Sequence, residues 1–125
     1  MEPKFYICRR CGNLAGLISD SGIPMTCCDQ KMEMLTPNTV EASGEKHIPD
    51  ATLVYGNLQV NIGTIDHPMS AEHYIAWVYV ETETGGYCKK LTPGNAPTIS
   101  FALGTDKAVA VYAYCNLHGL WMTKL

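Results

Sequence analysis

The sequence predicts an all-β protein in two parts: a small cysteine-rich metal module, followed by a β-sandwich. Three observations support this. Four of the six cysteines crowd into the first 28 residues. Most of the remaining chain consists of short segments in which apolar and polar side chains alternate, as in half-buried strands. No segment sustains the 3.6-residue apolar period of an amphipathic helix.

The first part, residues 1–36, is too poor in large apolar side chains to bury much surface. It contains turn formers instead, among them Gly12, Gly16 and Pro24. Modules of this size usually depend on a metal or on disulfides for stability. We therefore expect a metal-stabilised module that ends near Thr36.

Residues 37–46 begin with the polar run PNTVEASG and are predicted to form a linker or a covering loop. Residues 47–125 form the predicted sandwich. Its strand candidates are 58–62, 73–80, 87–91, 99–103 and 108–114. Gly85-Gly86 predicts a hairpin between the second and third of these. Several short strands at this spacing are typical of a β-sandwich.

Charge and composition exclude several classes of protein. The net charge of -3 and a pI of about 5.7 argue against a general nucleic-acid binder, which would be basic. The first ten residues lack the apolar core of a signal peptide. The longest apolar run, residues 108–115, is too short to cross a membrane. We expect a soluble cytoplasmic protein, in which cysteines are usually metal ligands or catalysts.

The N-terminal cysteines, Cys8-x-x-Cys11 and the adjacent pair Cys27-Cys28, are sufficient for a tetrahedral four-sulfur site. Such a site suits zinc or a single iron, and the spacing does not discriminate between them. Two structural disulfides are the other interpretation. The adjacent pair is unusual, because neighbours in a strand point to opposite faces, so the backbone must distort before both sulfurs reach one metal.

The four histidines of the chain form a second candidate site together with Cys115. His47, His67 and His73 lie in loops or at predicted strand ends, and His118 follows Cys115 at Cys-x-x-His spacing. One interpretation is a blue-copper-like electron carrier that uses Cys115, His118, Met122 and one upstream histidine. The other uses all four imidazoles and the Cys115 thiolate around an iron, with one position open to a small molecule.

These motifs resemble a known family. CRRC and TCC in the first 28 residues are similar to the desulforedoxin module, and EKHIP, HPM, EHYI and CNLHGLW resemble the neelaredoxin-type domain of superoxide reductases. The match is collinear over essentially the whole chain, and it identifies the chain as a member of the two-iron, desulfoferrodoxin-type superoxide reductases. Glu72 departs from the pattern, because many relatives have lysine before the histidine that corresponds to His73.

The resemblance implies a desulforedoxin-like module followed by an immunoglobulin-like β-sandwich, with one iron in each. The first iron would be bound by four cysteines (Cys8, Cys11, Cys27 and Cys28). The catalytic iron would be bound by four histidines and one cysteine (His47, His67, His73, His118 and Cys115). Glu45 would fill the open position of the ferric state, and Lys46 would lie near it.

The resemblance also implies the reaction and the partners. Superoxide would be reduced by one electron to hydrogen peroxide, and a rubredoxin-like protein would restore the ferrous iron. Relatives form homodimers, so a homodimer is expected, without nucleic acid or membrane. The alternative function is that of a non-catalytic electron-transfer metalloprotein, and a third is a zinc-stabilised binding module.

Overall fold

The computed structural model describes residues 2–40, 42 and 44–125. The chain divides into two compact units, Met1–Thr36 and Pro37–Leu125. Within the described residues, the one α-helix is the four-residue turn Gly44–His47, and no helix is long and apolar enough to span a membrane. The predicted all-β class is confirmed.

In the first unit, residues 2–36 form five short strands around very little core. The central strand β1 pairs antiparallel with β2 on one side and β5 on the other, and β3 and β4 form a separate hairpin. Among its apolar side chains, Phe5, Ile7 and Cys8 are buried. The strands are β1 (Lys4–Ile7), β2 (Leu14–Leu17), β3 (Thr26–Cys27), β4 (Gln30–Lys31) and β5 (Glu33–Met34).

The second unit is a sandwich of two antiparallel sheets. One sheet has three strands in the order β10-β7-β6, and the other has four in the order β12-β11-β8-β9. The helical turn α1 (Gly44–His47) precedes them. The strands are β6 (Pro49–Val54), β7 (Asn57–Ile62), β8 (Ile75–Thr82), β9 (Gly86–Lys90), β10 (Thr98–Ala102), β11 (Ala108–Cys115) and β12 (Gly119–Lys124).

The core of the sandwich lies between the two sheets. In β7, Leu58, Val60 and Ile62 are buried in this core while the side chains between them are more exposed, as the sequence alternation predicts. Phe101 contributes from β10, and the four-stranded sheet adds aliphatic side chains from β8 and β11. The core ends at Cys115, which is fully buried at the carboxyl end of β11.

The alternation in β8 is broken by a β-bulge. Tyr114 pairs with Trp77, but the next residue, Cys115, pairs with Ile75, so Ala76 is an extra residue on β8. Val78 and Ile75 both belong to the core, although a regular strand would point them to opposite faces. The sequence alternation places Ile75 on the same face as Trp77, and this part of the prediction is wrong because of the bulge.

The segment predicted as a linker or covering loop, residues 37–46, falls within the second unit. Asn38 bonds to β12: its side chain donates to the Met122 carbonyl and accepts from the Met122 amide. Residues 44–47 form the helical turn α1. Glu41 and Ser43 lie outside the described residues.

Candidate metal centres

The four N-terminal cysteines come together in the first unit. One sulfur atom from each of Cys8, Cys11, Cys27 and Cys28 lies within 4.8 Å of the others. The Cys11 and Cys27 sulfurs are 3.6 Å apart and those of Cys27 and Cys28 are 4.0 Å apart, far beyond the S–S bond length of about 2.05 Å. All six cysteines are free thiols, so the disulfide interpretation is wrong.

The hairpin between β3 and β4 explains how two adjacent cysteines reach one site. Thr26 pairs with Lys31 and Cys27 with Gln30, which leaves Cys28 and Asp29 as a two-residue turn. Both turn residues have positive φ, 51° and 61°, as a type I′ turn requires. This is the distortion that the adjacent pair predicts, and it turns the Cys28 sulfur toward the site.

Backbone amides and neighbouring thiols set the charge of this cluster. The amide groups of Cys11 and Arg10 hydrogen-bond to the Cys8 sulfur and lower its pKa to about 6. The crowded sulfurs of Cys11, Cys8 and Cys27 raise the pKa of Cys28 to about 12. Four thiolates so close together need a cation, and an S4 donor set suits iron or zinc.

The second cluster brings all four histidines to one end of the sandwich. Ligand atoms of His47, His67, His73 and Cys115 lie within 4.8 Å of one another. His118 completes the group, because its Nδ1 lies 3.1 Å from His47 Nε2 and 3.8 Å from the Cys115 sulfur.

The four imidazole rings are arranged as a closed set. Following the order His47, His67, His73 and His118, successive ring centroids are 4.6, 4.6 and 5.0 Å apart. The rings of His118 and His47 close the set at 4.9 Å. Each neighbouring pair meets edge to face, so the ring nitrogens can converge on one ion.

Hydrogen bonds identify the free nitrogens. His67 Nδ1 lies 2.6 Å from the Pro68 carbonyl and therefore carries the proton, which leaves Nε2 as a lone-pair donor. The Nε2 atoms of His67 and His73 are buried and have no hydrogen-bond partner. Because buried polar atoms are nearly always paired, two such atoms beside a thiol fit a metal ion.

Burial keeps the uncharged forms of these side chains. It lowers the pKa of His67 to about 4, an effect that the neighbouring histidines strengthen. Burial raises the pKa of Cys115, whereas hydrogen bonds from the backbone amides of His118 and Leu117 oppose the rise. Neutral imidazoles are the form that binds a metal, and the two amides are placed to stabilise a thiolate.

Trp121 and Met122 separate the two sequence interpretations of this site. The Trp121 ring stacks on His47 with centroids 4.9 Å apart, and its Nε1 donates to the His118 carbonyl. Successive residues of a strand face opposite ways, so Met122 points away from the face that carries Trp121. The blue-copper arrangement with Met122 is therefore not formed, whereas the four-imidazole arrangement is.

The loop that follows β7, residues 63–65, packs against the turn that carries Glu45, Lys46 and His47 and holds it in place. The Glu45 carbonyl accepts from the Ile65 amide at 2.9 Å and from the Thr64 hydroxyl at 3.3 Å. Gly63, with φ of +85°, lies so close that a Cβ atom there would come within 2.5 to 2.7 Å of backbone atoms, including the Glu45 carbonyl. The side chains of Glu45 and Lys46 are exposed next to buried His47.

Comparison with known proteins supports these assignments. The family model described as Desulfoferrodoxin matches residues 39–124. The chain is 37% identical to a desulfoferrodoxin of Desulfarculus baarsii over 118 residues, which cover 94% of this chain and 93% of that protein. It is also 35% identical to a superoxide reductase of Pyrococcus horikoshii over 98 residues, 62% of this chain and 84% of the relative.

Solved structures agree with the sequence relatives. The superoxide reductase from Treponema pallidum matches with a TM-score of 0.84 and 34% identity, over 99% of this chain and all (100%) of that one. A superoxide reductase from Giardia intestinalis, described as 1Fe-SOR, matches 65% of this chain and 97% of its own, with 32% identity and a TM-score of 0.53. The shorter relative lacks a counterpart for about a third of this chain.

The donor sets agree with the chemistry of that family. Desulfoferrodoxins carry two iron centres, and this chain has a four-cysteine site in its first unit and a site of four histidines and one cysteine in its second. The family match covers most of the second unit, and the relatives of similar length cover both. The chain therefore belongs to the desulfoferrodoxin family of superoxide reductases, which are oxidoreductases.

Proposed function

We propose that this chain reduces superoxide to hydrogen peroxide, using one electron from an external donor and two protons for each superoxide. The observation that carries the proposal is the convergence of four imidazoles and the Cys115 thiol beside an exposed turn with Glu45 and Lys46. A pure electron carrier gains nothing from a charged, exposed turn next to its metal ligands. The family membership supports the same reaction.

The second cluster fits iron. Imidazole nitrogens suit iron, and a single thiolate among them favours a redox metal over the tetrahedral zinc of structural sites. We propose His47, His67, His73, His118 and Cys115 as its ligands, with Nε2 as the donor atom in His67 and His73. Iron bound there supplies the single electron that superoxide requires.

The residues around the donors prepare them for this role. The Pro68 carbonyl fixes the tautomer of His67, and the Trp121 ring packs against His47, so both imidazoles are held before a metal arrives. The amides of Leu117 and His118 hydrogen-bond to the Cys115 sulfur and stabilise its negative charge. These bonds favour a bound thiolate over a protonated thiol.

Lys46 is proposed to attract superoxide and to hold the water that supplies protons. Lys46 directly precedes the proposed ligand His47 on the exposed turn, and its charge adds to the lowering of the pKa of His73, after the larger effects of burial and of His118. The chain as a whole is negative and repels an anion, which makes a local positive charge valuable. Glu45 is proposed to occupy the open position of the oxidised site after the product has left.

The electron must come from outside the chain, and we propose a small rubredoxin-like protein as the donor. We also propose that the chain works in the cytoplasm as a homodimer. Free thiols at all six cysteines fit a reducing compartment. Mixing the reduced, iron-loaded protein with candidate donors tests the first point, and sedimentation of the full chain tests the second.

Anaerobic purification, metal analysis and rapid mixing with superoxide test the function. We expect two irons per chain and stoichiometric oxidation of the histidine-bound iron, with one hydrogen peroxide formed per superoxide. Release of oxygen together with peroxide would indicate dismutation instead. Two zinc ions per chain, with no reaction, would support a structural metal module and contradict the proposal.

A further inference from the structure

We propose that Asn116 is a positioning residue that holds His73 in register with Cys115 and His118. The inference rests on the proposed metal centre and concerns how this chain assembles it. His73 needs such a positioning residue because of the bulge in β8. A regular strand running back from inward-facing Val78 would point Ala76 inward and Ile75 and His73 outward. The extra residue Ala76 reverses this, and His73 then faces the same side as Cys115.

The bulge at Ala76 interrupts the regular hydrogen-bond ladder between β8 and β11, so the ladder does not specify the position of the residues that precede it. His73 and Tyr74 lie just before the first paired residue of β8 and outside the strand itself. Their position must therefore be fixed by something other than the regular ladder of β11 and β8.

Three hydrogen bonds from Asn116 provide this. Its side-chain nitrogen donates to the Glu72 carbonyl at 2.9 Å, and its side-chain oxygen accepts from the Tyr74 amide at 2.8 Å. Its own backbone amide donates to the Tyr74 carbonyl at 3.1 Å. The amide side chain thus bonds to the backbone on both sides of His73.

The place of Asn116 in the chain gives these bonds their significance. It lies between two proposed ligands, Cys115 and His118, and it reaches across to the residues that flank a third. Ser70 also bonds to the His73 backbone, but it belongs to the same loop and connects His73 to no other ligand. Asn116 therefore ties two ligand-bearing segments together, although its side chain bonds only to backbone.

The test uses Co²⁺ added to the metal-free, reduced full chain. The thiolate-to-cobalt absorption that disappears in Cys115→Ser reports the second site, and competition with a chelator gives its affinity. We expect Asn116→Ala to lower this affinity about 10-fold to 100-fold, the range typical of residues that orient metal ligands, and to shift the absorption band. Asn116→Asp, which keeps the acceptor for Tyr74 but loses the donor to Glu72, should fall in between.

Asn95→Ala is the control. The side-chain oxygen of Asn95 accepts from the backbone amide and the hydroxyl of Thr92, in a loop that contains no proposed ligand. Its loss should lower the unfolding midpoint, while the cobalt affinity and the band stay at their wild-type values.

A double-mutant cycle shows whether Asn116 acts through His73. In a His73→Ala background, Asn116→Ala should change the affinity by less than about 3-fold, because the ligand it positions is gone. An equal effect in both backgrounds, or wild-type cobalt binding in Asn116→Ala, overturns the inference. If the wild-type chain and Cys115→Ser have the same thiolate-to-cobalt absorption, the proposed metal centre itself is contradicted.

Discussion

At the scale of single residues, the second centre depends on atoms that are fixed before a metal binds. The Pro68 carbonyl determines which nitrogen of His67 is free, and backbone amides point at the Cys115 sulfur. The unpaired Nε2 atoms of His67 and His73 are a cost to the metal-free chain that ligation removes. Replacing any one of these groups should therefore alter the site more than the fold.

Cys115→Ser should abolish superoxide reduction and remove the thiolate-to-iron absorption of the second centre. An alcohol oxygen is a weaker donor than a thiolate, and the buried side chain offers no room for a substitute ligand. The absorption of the four-cysteine centre should remain. Visible spectra and stopped-flow rates of the iron-loaded variant measure both effects, and a native rate would contradict the assignment of Cys115 as a ligand.

Lys46→Ile should slow the bimolecular reaction with superoxide by about 3-fold to 50-fold, the range for a unit charge at about 7 Å between the dielectric limits of water and of a protein surface. The wild-type rate should fall with ionic strength, and the rate of the variant should fall less.

Lys107→Ile is the matched control for this change. Lys107 is an exposed lysine just before β11, whereas Cys115 lies at the other end of that strand. The Lys107→Ile substitution removes the same charge from the chain, but far enough from the second centre for salt to screen its effect there. If both variants have the same rates and salt slopes, Lys46 does not guide the substrate.

At the scale of elements, the site is made by loops held against a rigid sandwich. The turn Gly44–His47 is fixed by the Thr64 and Ile65 contacts, and the residues before β8 are fixed by the loop after β11. Neither of these two segments is part of a β-sheet. The positions of Glu45, Lys46 and His73 therefore follow from a few hydrogen bonds and from close backbone approach.

Gly63→Ala should displace the Glu45–His47 turn. A Cβ atom would meet three backbone atoms at less than 3 Å, and φ of +85° is itself unfavourable for alanine. Gly94→Ala is the control, since Gly94 has φ of +94° with nothing within 4 Å.

We expect Gly94→Ala to lower the free energy of unfolding only by the cost of a left-handed backbone conformation for alanine, about 1 to 2 kcal/mol, and to keep the wild-type ferric spectrum. Gly63→Ala should lose more stability in a urea titration and should also change the ferric absorption band. Equal losses and identical spectra for the two variants would show that the close approach at Gly63 does not position the turn.

The sequence predicts the strands that have an alternating pattern, a continuous apolar run or a hairpin signal, and it misses strands that have none of these. The predicted segments 58–62, 87–91, 99–103 and 108–114 agree with β7, β9, β10 and β11 to within a residue or so at their ends. The sequence does not predict the edge strand β6, because this strand begins at Pro49 and ends in exposed apolar residues. It does not predict β12 either, because the residues of β12 belong to the motif that follows Cys115.

The site was more predictable than the geometry that forms it. Cysteines and histidines are few, so their grouping follows from chemistry and family motif, and all nine proposed ligands lie in two clusters. The bulge at Ala76, the clamp by Asn116 and the close approach at Gly63 depend on contacts between distant segments. Local periodicity carries no signal for such contacts. An asparagine between Cys115 and His118 was the one visible hint.

At the scale of the whole molecule, each unit contains its own complete donor set. The first unit has a small core and four cysteines, whereas the second has a continuous apolar core between two sheets. No cysteine or histidine of one set is needed by the other. We therefore expect each metal to be removable without loss of the other.

Cys11→Ser should remove the metal of the first unit and leave the second centre active. The unfolding of the first unit should follow metal loss, because a small module gains much of its stability from metal binding. Iron content, visible absorption and the superoxide rate measure the outcome. Cys88→Ser, which changes an exposed thiol outside both clusters, should keep both irons. Loss of the histidine-bound iron in Cys11→Ser would contradict the independence of the two units.

The bulge at Ala76 also constrains how the family can vary. A strand that kept Ala76 but was pleated regularly would turn over the segment before it and carry the imidazole of His73 to the outer surface. Deleting Ala76 would instead join Ile75 directly to Trp77, and a regular strand would then keep Ile75 opposite Cys115 and His73 on the face of the site. Relatives that lack the extra residue should therefore have a regular strand here, so that the bulge and the residue that forms it are gained or lost together.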